Sequence, residues 1–309
     1  MKRILAAFLV FILFCSLMSG CAKKGDVSVL DGKKIIFVGN SFTYFGKTVL
    51  EKKQSVLTQE KRSNDHGFFY QLCKENGMDV EVTNWTFGGH TLEHMFGGNC
   101  SADRGCDGVD HLSYLTDRHF DYVVIQEGSG EPDSLDWVEK VMAIFREANP
   151  DVKVIYLEHS NAHFKNFARL SQLKDLEKKG ITIVDWGNLV VDVTNGAIAV
   201  PGAAEEYNKN TFIISKSEKD GYHPNMLSGY ITTLMTFCAI TGAKAEGQPY
   251  AFCDDRDINK AFHLLTFDAN YYTYSSSNFQ EVFASESDMR GIQQLIDQYL
   301  KEKPYLEFE

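Results

Sequence analysis

Lys33-Lys34-Ile35-Ile36-Phe37-Val38-Gly39-Asn40-Ser41-Phe42-Thr43 is the stretch that decides the fold. The apolar, β-branched run up to Val38 reads as a buried strand, and Gly39 ends it. Outward from it, Val80–Trp85, Tyr122–Ile125, Val152–Leu157 and Ile181–Val184 read as further strands. Tyr122–Ile125 is continuous and apolar, as a strand covered on both faces must be. Helical patterns separate them. Gly67–Glu75 is one, and Ser134–Ala148 is another, with Ser134 as a possible N-cap and Asn149-Pro150 as its stop. Phe164–Lys179 ends at Gly180, Met226–Thr241 at Gly242, and Ser287–Lys301 runs up to Pro304. Strands alternating with helices predict an α/β fold with a mostly parallel five-stranded sheet. Residues after about Ala243 fit less well and read as a capping segment, a hairpin or a loop-rich extension.

Composition sets the outer limits. The chain has 309 residues, enough for one or two domains with a large core, and 44% hydrophobic with 24% charged residues is ordinary for a globular protein. A net charge of −11 argues against a nucleic-acid partner, which needs a basic surface to neutralise phosphates.

Residues 1–20 read as a leader rather than as fold. Lys2 and Arg3 precede the apolar run Ile4–Leu17, which is short for a membrane span, and Ser19-Gly20-Cys21 follows. Met18-Ser19-Gly20-Cys21 resembles the bacterial lipobox, although Met18 stands where Leu is usual. The resemblance implies cleavage before Cys21, lipid attachment to Cys21, and an exported domain held at a membrane surface by the tether 21–32. Losing Lys2 and Arg3 takes the net charge from −11 to −13. In an exported protein Cys100 and Cys106 make the natural short disulfide, and Cys238 with Cys253 is a weaker pairing.

Ligands of parallel α/β sheets sit at the carboxyl ends of the strands. Ser41 follows the first strand and needs a base before it is a nucleophile. The histidine with a carboxylate at short range is His223, in Asp220-Gly221-Tyr222-His223-Pro224-Asn225, just before a long helix. Gly39-Asn40-Ser41-Phe42-Thr43 together with this DxxH block resembles the SGNH, or GDSL-type, hydrolase superfamily. That resemblance implies a flavodoxin-like three-layer α/β/α sandwich over about 33–245, with 246–309 as a C-terminal extension on the same domain. It also implies Ser41 as nucleophile, His223 as general base and Asp220 as the group orienting the imidazole. Asn84 to Thr91 resembles the family's second block and makes Gly89, or less favourably Gly88, an oxyanion donor beside the Ser41 N–H. The third block is usually Gly-x-Asn-Asp. Here Gln126-Glu127-Gly128-Ser129 stands instead, so an amide donor is missing, and Gln126 is the expected substitute. Glu127 is read as an exposed carboxylate or a cleft-lining one. GNS in place of GDS, and this QEGS segment, mark a little-characterised branch.

Competing signals are weaker. His90-Thr91-Leu92-Glu93-His94 spells an inverted zincin motif that, on a helix, would put His90 and His94 on one face. The preceding Gly88-Gly89 and the lack of a second metal motif favour a short helix, with His90 lining the cleft. The resemblance implies no metal or cofactor. The expectation is an extracytoplasmic serine esterase that removes acyl groups such as acetyl from carbohydrate or similar esters. A glycan-binding lipoprotein without catalysis on the same fold is the alternative, and a zinc hydrolase the third.

Overall fold

A computed structural model of the chain describes residues 26–44, 49–50, 62–97, 115–128, 135–159, 167–203, 207, 212, 223–254, 257–263 and 286–307. The Met18–Cys21 block expected to act as a lipobox, the Cys100/Cys106 pair, Asp220 and the proposed cap Ser134 lie outside the described residues.

The elements follow one another as β1 (Lys33–Gly39), α1 (Ser41–Tyr44), α2 (Phe68–Glu75), β2 (Val80–Thr86), α3 (Leu92–Phe96) and β3 (Tyr122–Ile125). Then come α4 (Leu135–Ala148), β4 (Lys153–Leu157), α5 (Phe167–Lys178), β5 (Ile181–Val184) and α6 (Trp186–Thr194). The chain continues with α7 (Met226–Thr241), the strands β6 (Ala251–Asp254) and β7 (Asp257–His263), and α8 (Glu286–Glu302).

The main sheet has the order β2-β1-β3-β4-β5, and every neighbouring pair is parallel. Alternate residues of each strand point to opposite faces, so each strand feeds two cores. Ile35, Phe37, Val82, Val124 and Ile155 pack with α2, α6, α7 and α8 on one face. Ile36, Val38, Val123, Ile125 and Val154 pack with α3, α4 and α5 on the other. The result is a three-layer α/β/α sandwich, and runs such as Tyr122–Ile125 are apolar throughout because both faces are covered.

The C-terminal region resolves into two parts. β6 and β7 form an antiparallel hairpin. α8 drives Met289, Ile292, Leu295, Ile296 and Tyr299 into the first core. The chain then reverses at Lys303, φ +47°, and Pro304–Glu307 carries Tyr305 into the second core. Tyr305 and Lys303 both bond to Glu177 of α5. The segment therefore straps round the β5 side of the sheet, where a bare strand edge would invite pairing with another chain. Burial first, then Asp185 and Asp192, pushes the Tyr299 hydroxyl up, so it stays protonated and donates to Asp192 (3.1 Å).

Cys238 is a free, buried thiol in α7, which corrects the Cys238–Cys253 pairing; Cys73 is also free and buried. Burial raises both thiols far above their ordinary range, so neither competes as a nucleophile. Among the described residues no helix is long and apolar enough to cross a membrane.

Candidate active site

The strand order changes direction between β1 and β3, and the crevice at their carboxyl ends is where an α/β sheet binds ligands. β1 delivers Asn40 and Ser41 there. Phe87 N–H bonds back to Gly39 O (2.9 Å), so the loop after β2 is carried to the same place. Gln126 N–H bonds to Val38 O (2.8 Å) and brings the end of β3 alongside.

α1 begins as a turn built by Asn40. Its Oδ1 accepts from Phe42 N–H (3.1 Å) and its carbonyl from Thr43 N–H (3.0 Å). This holds Ser41 at the turn's head, 8% exposed. His223 arrives from the far side of the sequence. Asn225, two residues after His223, caps α7 by accepting from Leu227 and Ser228 N–H, which fixes the helix start beside it. His223 Nε2 then lies 2.8 Å from Ser41 Oγ, although 182 residues separate them. At that distance a neutral imidazole with bare Nε2 accepts the serine proton. The Phe42 ring braces the pair: it stacks on His159 (3.9 Å between centroids, 10°) and leans on His223 (5.4 Å, 37°).

A cleft of about 460 Å³ opens over the pair, lined by Ser41, His223, Gly88, Gly89, His90 and Gly128 among others. Gly89 has φ +72°, a left-handed conformation that glycine adopts without steric cost. A Cβ there would meet nothing within 4 Å, so the turn's shape, not close approach, requires glycine. Among the described residues the N–H groups of Ser41, Gly88 and Gly89 have no acceptor.

Gln126 occupies another position than expected. Its Oε1 accepts from Asn40 N–H (3.2 Å) and Thr43 Oγ1 (3.1 Å), and its Nε2 donates to Glu127 O. It is 2% exposed and absent from the cleft lining, so its amide buttresses the Ser41 turn from behind instead of facing the cleft. Glu127 is not exposed either; it is fully buried beneath the cleft. Sequence reasoning gave no role to Asn40, Phe42 and His159, and it did not foresee the burial of Glu127. The signal for Glu127 was a carboxylate two residues past the end of a wholly apolar strand.

The zincin reading needs a helix running from His90, whereas α3 starts at Leu92 with Thr91 as its cap. His90 Nδ1 faces Gly88 O (2.9 Å), and since a carbonyl only accepts, that nitrogen carries the proton. His94 Nδ1 accepts from Thr91 N–H (3.4 Å). The two rings sit edge to face, 6.1 Å apart, and do not present a shared pair of ligands. A larger groove, about 1040 Å³, runs under α8 beside β5, but its lining has no serine or histidine and the chemistry belongs to the smaller cleft.

No family model matches the sequence, and no curated protein matches it. Among solved structures, a DUF4886 family protein from Bacteroides uniformis is similar with a TM-score of 0.52 and 15% identity, over 88% of this chain and 95% of that one. That likeness shows the α/β fold. A catalytic mutant of Axe2, an acetylxylan esterase from Geobacillus stearothermophilus, matches at TM-score 0.42 and 14% identity, over 69% of this chain and 95% of its own. A two-domain esterase active on acetylated mannans, co-crystallised with mannopentaose, matches at 0.42 and 16%, over 72% of this chain and 52% of that one.

Proposed function

We propose that the protein is a serine esterase of SGNH type. The observation that carries this reading is the 2.8 Å approach of His223 Nε2 to Ser41 Oγ at the carboxyl end of β1. Ser41 Oγ attacks the acyl carbonyl carbon as His223 takes its proton. The tetrahedral oxyanion is held by the Ser41 and Gly89 N–H groups, with Gly88 beside them; losing one such donor typically costs about 3–4 kcal/mol of transition-state stabilisation. The bond to the alcohol breaks, and the alcohol leaves with the proton from His223. Water, giving its proton to His223, then releases the acid from Ser41. Asp220 is assigned to orient His223, from its DxxH spacing.

The substrate side follows from the resemblance in sequence: acyl groups, acetyl foremost, on carbohydrate or similar esters. The Met18–Cys21 block supports export, with lipid on Cys21 holding the enzyme at a membrane surface. The open cleft, fringed by three glycines, suits a small acyl group on a bulky alcohol.

The test is hydrolysis of small acyl esters and acetylated oligosaccharides by the wild type and by Ser41→Ala. A loss of about 10³-fold or more in kcat is expected for the variant. Equal rates from the two would overturn the assignment.

A further inference from the structure

Glu127 presents the strongest unexplained feature of the molecule. Its carboxylate is 0% exposed. Burying a carboxylate is costly unless donors compensate it. Here the two oxygens face two different segments. Oε1 accepts from Gly128 N–H (2.7 Å) and Oε2 from Leu92 N–H (3.0 Å).

Leu92 opens α3, and helix starts leave their first N–H groups without helical acceptors. The α3 cap itself does not serve Leu92, because the Thr91 hydroxyl accepts from His94 N–H (3.2 Å). The acceptor comes instead from the end of β3, 35 residues away.

The consequence lies in what hangs between. The Gly88-Gly89 turn is suspended from two fixed points. On one side Phe87 N–H is bonded to Gly39 O (2.9 Å), and on the other Leu92 N–H is bonded to Glu127. A third tie, from Asn40 Nδ2 to His90 O (2.8 Å), pulls the same loop towards Ser41. Gly128 makes room for it: a Cβ there would stand 1.7 Å from Asn40 Nδ2 and 2.9 Å from His90 O. The ends of β1, β2 and β3 are thus laced together directly under the free N–H groups of Gly88 and Gly89.

We propose that Glu127 is a positioning residue whose buried carboxylate clamps the β2–α3 loop and so sets the Gly88-Gly89 N–H groups opposite Ser41. The catalytic consequence rests on the esterase reading above; the clamp itself does not. Through Leu92 N–H and Gly128 N–H it acts on the oxyanion side of the reaction.

Glu127→Gln keeps the shape but offers one acceptor where two are needed, so one backbone N–H meets an amide NH₂. In this variant kcat for a small acyl ester is expected to fall about 10- to 100-fold, the usual scale for slight misplacement of catalytic groups. KM should hold, as should the acid limb of the kcat/KM profile, which reports His223. Glu127→Asp, which retains the charge, should recover part of the loss. Hydrogen exchange of the peptide covering 86–97 should quicken in Glu127→Gln and not in Ser41→Ala. Unchanged kcat, a displaced acid limb, or unaltered exchange in that peptide would each overturn the proposal. Should Glu127→Gln fail to fold, Glu127→Asp carries the same comparisons. If wild type and Ser41→Ala hydrolyse esters equally, the esterase reading falls and the catalytic half of this proposal with it. Exchange then decides the clamp: quickened exchange upholds it and unaltered exchange refutes it.

Discussion

Asn40 shows how much one side-chain atom can settle. This chain carries Asn at position 40, and its Nδ2 donates to His90 O (2.8 Å) while its Oδ1 accepts from Phe42 N–H. A carboxylate could make the second bond and not the first, since it has no proton to give. Asn40→Asp would therefore set an oxygen against the His90 carbonyl in a buried site. Its expected cost is about 1–3 kcal/mol of unfolding free energy, measured by urea titration, and kcat should fall about tenfold or more as the loop shifts. At this scale the sequence was partly legible. Ser41 and His223 could be paired because their two blocks resemble a known pattern, and the structure brings them to 2.8 Å. Gln126 was misjudged because composition shows an amide but not which way it points, and that was decided by the unsatisfied donors of Asn40 and Thr43. Glu127 was misjudged because carboxylates are usually exposed; its burial depends on a helix start in a distant segment.

At the scale of elements, five strands were readable from their short β-branched or apolar runs, and their observed bounds differ by a residue or so from the expected ones. Phe68–Glu75 and Met226–Thr241 were readable from their glycine borders. No element was expected over Trp186–Thr194, where Val190, Val191 and Val193 argue against a helix by propensity. Packing overrides this: Leu189, Val190 and Val193 are buried in the first core. The strand starts are tied by Asp121, whose Oδ2 accepts from Lys34 N–H (3.0 Å) and Oδ1 from Lys33 Nζ (3.1 Å), while its carbonyl accepts from Lys153 N–H (3.0 Å). Burial raises the Asp121 carboxyl, but the Lys34 and Lys33 hydrogen bonds outweigh it and hold the pKa below the ordinary value. A folded-state pKa below the unfolded one gives stability that is full above the unfolded value and lost as pH falls through the folded value. Asp121→Asn should therefore be less stable than wild type at pH 7, with the gap in urea midpoint closing as pH drops below about 4. A gap that widened in acid would contradict the assignment.

At the scale of the molecule, the topology explains why residues as distant as Ser41, Gly89, Gly128 and His223 meet. Parallel strands point all their carboxyl ends the same way, and the reversal of order at β1 opens a crevice between those ends. The C-terminal strap was the part least legible in sequence. Its helix pattern was plain, but its course round β5, from one core to the other, depends on Lys303 reversing the chain and Tyr305 finding the far side. Net charge argued against a nucleic-acid partner and said nothing about this site. The central claim concerns one pair of atoms, and covalent labelling tests it most directly. The protein would be treated with a fluorophosphonate and its peptides mapped by mass spectrometry, beside Ser41→Ala and His223→Ala. A stoichiometric adduct on Ser41, lost in the first variant and greatly slowed in the second, is the expected result. An unlabelled Ser41, or label on another residue with Ser41→Ala unaffected, would contradict it.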